Sequence, residues 1–166
     1  MMRVYLPATT TTLRELLADG RLGPAPLTAF AVTPGLREWY VDDDVDELEY
    51  AAMLEAARGS LRLIDADAGA ARRRAVLAAD VPDEQVTVRD DLDRGVVQLA
   101  EPVPMSAIAA AHLDDAEAEA TIAQAAESII GADLGDEAAQ ERVDDAEGHE
   151  LSWYATQELG TWLALL

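Results

Sequence analysis

The stretch RVYLPATTTTLRELLADGRLGPAPLTAFAV, Arg3 to Val32, decides the fold class because its apolar period changes twice. Arg3 to Leu6 reads as a short strand with Val4 and Leu6 on one face, ended by Pro7. Thr10 to Thr12 offer N-cap hydroxyls for a helix through Leu13, Leu16 and Leu17, and Gly20 closes it. Gly23-Pro24-Ala25-Pro26 makes a connector. Leu27 to Val32 is a second strand, in which Leu27, Ala29 and Ala31 alternate with Thr28, Phe30 and Val32. The opening is therefore β-α-β, with a connection long enough for a parallel crossover, although length alone does not establish parallel pairing.

Further on, Thr33-Pro34 starts a second helix through Leu36, Trp39 and Tyr40, a hydroxyl cap followed by Pro in the first turn. Asp42 to Asp46 forms an acidic break that supplies negative charge to the next helix N-terminus. That helix, Asp44 to Asp65, is the longest element. Tyr50, Leu54, Ala57, Leu61 and Ile64 recur at steps of three and four, which predicts one buried stripe, with Gly59 weakening the helix without ending it. Arg73 to Ala79 reads as a central strand, followed by the Val81-Pro82-Asp83 turn. Val86 to Val88 and Val96 to Leu99 form a hairpin across the Asp90 to Gly95 loop.

Ala hides the period of Ser106 to Leu113. Its shortness, the preceding Pro104 and the start signal Asp114-x-x-Glu117 favour a strand. Asp114 to Ile130 is a clear helix with Ala118, Ile122, Ala125, Ile129 and Ile130 inward, ended by Gly131. Asp136 to Glu147 is a weaker polar helix, Leu151 to Tyr154 a last strand, and Thr156 caps a final helix through Leu159, Trp162, Leu163 and Leu166. The predicted architecture is one α+β domain over residues 1–166. It has a mixed sheet of about five or six strands with helices packed on it, a long central helix and a helical C-terminal region.

Composition narrows the function. The chain has 33 Asp and Glu against 12 Arg and no Lys, a formal charge of −21. Residues 1–100 contribute −7 and residues 101–166 contribute −14. Such a field repels nucleic acids and anionic membrane surfaces. No run spans a bilayer, and Met1 to Leu6 shows no signal-peptide pattern, so a soluble cytoplasmic protein is expected. With no Cys there is neither a disulfide nor a thiolate site. The 33 Ala and eight aromatic residues imply a core built from small side chains.

The two histidines stand among acids, in His112-Leu113-Asp114-Asp115 and Glu147-Gly148-His149-Glu150. If folding joined those turns, His112, Asp114, Asp115, Glu147, His149 and Glu150 could hold a divalent ion and activate its water. Without H-E-x-x-H or H-x-H spacing, the simpler expectation is that Asp114 caps a helix and His112 satisfies a neighbour. No G-x-S-x-G elbow and no P-loop occurs. The Arg72-Arg73-Arg74 run could grip an anionic ligand, but it reads more simply as one stem over apolar surface with the others balancing acids.

Two aromatic dyads, Trp39-Tyr40 and Trp153-Tyr154, hold half of the aromatic residues. At least one ring of each is expected in the core, with the remainder marking a partner surface.

Arg3 to Thr9, Ala31-Val32-Thr33-Pro34 with Leu36-Arg37-Glu38 and Tyr40, Glu47 to Ala52, His112 to Asp115 and Trp153 to Glu158 together resemble a family of small actinobacterial proteins of unknown function. The resemblance spans nearly the whole chain and implies a single complete domain, but no activity, ligand or catalytic residue. The leading expectation is a non-enzymatic protein-binding or assembly module without a cofactor. It would use Trp39, Tyr40, Trp153 and Tyr154 toward a second copy or another protein. A metal-assisted hydrolase or small-ligand enzyme at the two His/acid clusters is the alternative, and an acidic nucleic-acid mimic a minor one.

Overall fold

Every strand pairing in the computed structural model is antiparallel, so the sheet is not mixed. The structure describes residues 1–40 and 43–166; the Asp42 end of the predicted acidic break lies outside them. The elements run β1 (Met2–Ala8), α1 (Thr10–Asp19), β2 (Arg21–Leu22), β3 (Leu27–Phe30), α2 (Pro34–Trp39), α3 (Val45–Ala66), β4 (Ala75–Val81) and β5 (Val86–Val88). They continue with β6 (Val96–Leu99), β7 (Val103–Pro104), β8 (Ile108–Leu113), α4 (Glu119–Asp133), α5 (Glu137–Glu147), β9 (Ser152–Tyr154) and α6 (Leu159–Ala164). Seven strands form one sheet in the order β5-β6-β3-β1-β4-β8-β9, and β2 pairs with β7.

Alternation along the central strands builds two cores. Val4, Leu6 and Ala8 face the same side as Ala75, Leu77 and Ala79, where Leu13 and Leu16 of α1 and Leu159, Trp162 and Leu163 of α6 cover them. Tyr5, Phe30, Val76 and Ala78 face the other side, under Leu36 of α2 and Ala52, Met53, Ala56 and Ala57 of α3. A third cluster packs Leu61 and Ile64 of α3 against α4 and α5. Pro7 does not end β1: the strand continues to Ala8, and Thr9 forms a reciprocal capping box with Thr12.

The predicted stripe of α3 holds for Ala57, Leu61 and Ile64, which are buried, and fails in the N-terminal half of the helix. Leu48, Ala52, Ala56, Gly59 and Ser60 face inward, whereas Tyr50 is exposed and Leu54 only partly covered. The reason is close approach. A Cβ on Gly59 would lie 3.1 Å from the Pro7 Cβ, and the Ser60 hydroxyl donates to the Ala8 carbonyl at 2.7 Å. Small residues let α3 lie down on β1, and Tyr50 and Leu54 are turned aside.

Gly131 is likewise a contact and not a stop. α4 continues to Asp133, and a Cβ on Gly131 would meet that of Ala139 at 3.2 Å. Gly135, at φ +94°, makes the turn into α5. Ile130, predicted inward, is exposed. The final helix is not capped by Thr156, whose hydroxyl donates to the Ile108 carbonyl; the Glu158 carboxylate accepts from the Ala155 amide instead.

Candidate functional site

An open groove of about 420 Å³ lies at the N-terminal end of α3, lined by Tyr40, Asp46, Glu47, Tyr50, Ala51 and Leu54. The Tyr50 ring is at the surface because α3 presents Leu48 and Ala52 to the protein interior. Asp44 caps α3 by accepting from the Asp46 amide, and Asp46 and Glu47 add negative charge at the positive helix end. Tyr50 and Leu54 also line a smaller hollow of about 130 Å³, completed by Met53, Arg74, Glu147, His149, Glu150 and Leu151. The hollow falls short of the few hundred Å³ usual for small-molecule sites. The groove is large enough, but its walls are rings left 41% (Tyr40) and 49% (Tyr50) exposed, which suits a macromolecular surface better than a site that engulfs its ligand.

The dyads lie differently from expectation. Neither ring of the first is in the core: Trp39 is 64% exposed with the Arg94 guanidinium 3.5 Å above its ring, and Tyr40 lines the groove. α2 is too short to bury more than Leu36. In the second dyad Tyr154 packs against the α1–α6 core, 6.4 Å from the Trp162 ring, and Trp153 is 63% exposed. Strand register puts Trp153 opposite His112 and Val76, on the same sheet face as α3. Tyr40, Tyr50 and Trp153 thus stand on one side of the sheet.

The His/acid clusters are spent separately. Asp114 does not cap a helix; it is fully buried and accepts from the Arg74 backbone amide, Nε and Nη2 at 2.8, 2.8 and 2.9 Å. Arg74 Nη2 also donates to the His149 carbonyl at 2.7 Å, fixing the turn before β9. Asp115 supplies the cap by accepting from the Glu117 amide. His112 sits on β8, where burial and then the Arg3 charge hold its imidazole below the usual range. Glu147, His149 and Glu150 share the small hollow without His112, Asp114 or Asp115. Loss of solvent and then Asp144 push the Glu147 carboxyl up. Among the described residues no three His, Asp or Glu side chains converge to hold a metal ion.

The Arg run is also structural. Arg72 Nη1 donates to the Ile64 and Asp67 carbonyls at the end of α3. Arg73 bonds Glu119 at 2.8 Å and lies 5.7 Å from the Trp162 ring centre. Two larger clefts, about 560 and 580 Å³, flank Ser106, Ile108 and Ala109, yet neither is lined by a ring, a His or an Arg among the described residues.

Sequence reasoning missed Tyr50 and Leu54 because it placed them on the buried stripe. The signal was the run of small residues, Ala52, Ala56, Gly59 and Ser60, at helical spacing. Among the described residues no helix is long and apolar enough to cross a membrane. Residues 2–163 match a family of unknown function (DUF6912). No curated protein and no solved structure matches the chain.

Proposed function

We propose, from the premise that the chain belongs to this family of unknown function and inherits no activity from it, that it is a protein-binding module. It docks a basic segment of another protein in the α2–α3 groove. One observation carries the reading. In a core built largely of Ala, Trp39, Tyr40, Tyr50 and Trp153 are nevertheless left at the surface, and two of them wall a groove edged by Asp46 and Glu47. Burying those rings on folding would add far more apolar contact than Ala supplies, about 25 cal/mol for each Å² covered. Aromatic rings are enriched at the centres of protein interfaces. The charge of −21 selects a cationic partner over a second copy, because two copies repel one another.

The test replaces Tyr50 with a photo-crosslinking phenylalanine analogue and irradiates the tagged protein in native lysate. A second variant carries the analogue at Glu15, an exposed position of α1. The expected result is one dominant adduct at Tyr50, absent at Glu15, whose cross-linked segment is rich in Arg or Lys. Adducts to a second copy, to acidic segments, or equal labelling at both positions would overturn the reading.

A further inference from the structure

We infer that the groove recognises an arginine side chain of the partner's basic segment, seated against Tyr40 and Tyr50 with its guanidinium directed to the Asp46 carboxylate. The inference rests on the docking reading and narrows it. Net charge draws Lys and Arg alike, so the discrimination must come from the walls. Tyr40, Tyr50, Ala51 and Leu54 offer ring and aliphatic surface, and among the described lining residues Asp46 and Glu47 carry the carboxylates. A guanidinium is flat and weakly hydrated; it stacks on rings and meets carboxylates in a fork. An ammonium ion is compact and strongly hydrated, and loses more on entering such a groove.

The molecule builds the same combination within itself. Arg73 lies over the Trp162 ring while its Nε bonds the Glu119 carboxylate at 2.8 Å. Arg94 stacks on Trp39, one residue before Tyr40. The groove repeats the ring, in Tyr40 and Tyr50, and the carboxylate, in Asp46.

The experiment titrates the full chain into fluorescein-labelled nona-arginine and nona-lysine at equal salt and follows anisotropy. The two peptides carry the same charge, so their difference isolates the guanidinium. The expected result is about tenfold tighter binding of nona-arginine, the scale of ring–cation stacking at two rings. In Y40L/Y50L the ratio is expected to fall to about one. Both rings are exposed, and circular dichroism checks that the variant is folded. E137Q/E141Q, on the exposed side of α5, is expected to weaken both peptides together and leave the ratio unchanged.

Equal binding of the two peptides, lost from both in Y40L/Y50L, would overturn the arginine inference and leave docking standing. An arginine preference unaffected by Y40L/Y50L would also overturn it, because the guanidinium would then sit elsewhere. Failure of both peptides to bind would remove both readings.

Discussion

Replacing Asp114 with Ala removes one partner of an ion pair whose side chains are 0% and 2% exposed. Asp114 accepts two bonds from the Arg74 guanidinium and one from its backbone amide, so Asp114→Ala leaves a buried cation hydrogen-bonded to the His149 carbonyl, with the charge of Glu147 nearby but without the carboxylate that bonded it. Breaking a buried pair in this way costs about 3–5 kcal/mol. Arg74→Met leaves the opposite charge stranded and costs about the same. Removing both charges in Arg74→Met/Asp114→Ala is cheaper than the sum. What remains is the Arg74 amide and the His149 carbonyl without partners, about 1–3 kcal/mol each. The double variant therefore loses about 2–6 kcal/mol, against about 6–10 for independent singles. Urea unfolding reads the cycle. With a slope of about 2 kcal/mol per M, Asp114→Ala lowers the midpoint by about 2 M. A loss below about 1 kcal/mol for Asp114→Ala, or singles that add to within about 0.5 kcal/mol, would refute the account of Asp114 as a structural anchor.

Gly59→Ala destabilises the chain although Ala is the better helix former, because its Cβ would stand 3.1 Å from Pro7 and 3.4 Å from the Phe30 ring. Gly160→Ala, in α6 with nothing within 4 Å of its Cβ, raises stability by up to about 1 kcal/mol; thermal unfolding of the pair separates the two signs. Stability also peaks at mildly acidic pH. Burial and then Asp93 raise the Glu55 carboxyl, so its contribution is fully present below the unfolded Glu value of about 4.3 and is lost as pH rises through its folded value. Asp133 runs the other way: Arg62, with Arg58 assisting against desolvation, holds it low, and its stabilisation disappears as pH falls through that lowered value. Urea midpoints from pH 3.5 to 8 check the peak, and Glu55→Gln flattens its neutral side; unchanged slopes in that variant would contradict the assignment.

Much of the fold was legible because turn and cap chemistry is local. Gly20 at φ +74°, Thr33 before Pro34 and the hairpin over Asp90 to Gly95 stand where the residues imply. Pairing direction was not legible, because the connection from Leu6 to Leu27 is long enough for either sense. The face of α3 was legible at Ala57, Leu61 and Ile64 but misread at Tyr50 and Leu54, where apolar size was taken for burial, whereas the close approach to Pro7 selects small side chains. At the site, Tyr40 was legible as a dyad ring. Tyr50, ten residues later, was not, since only the turn of α3 brings the two to one groove. The separation of the His/acid clusters depends on Arg74, forty residues from Asp114, claiming its carboxylate.

The most direct test of the docking surface is a nitrogen–proton shift map of the labelled chain titrated with nona-arginine. Residues 101–166 carry −14 of the total charge, so a surface governed by charge alone would draw the peptide to α4 and α5. The account predicts the largest shifts at Tyr40, Asp46, Glu47, Tyr50 and Leu54. Shifts concentrated on Glu137 to Glu147, with the groove silent, would contradict it.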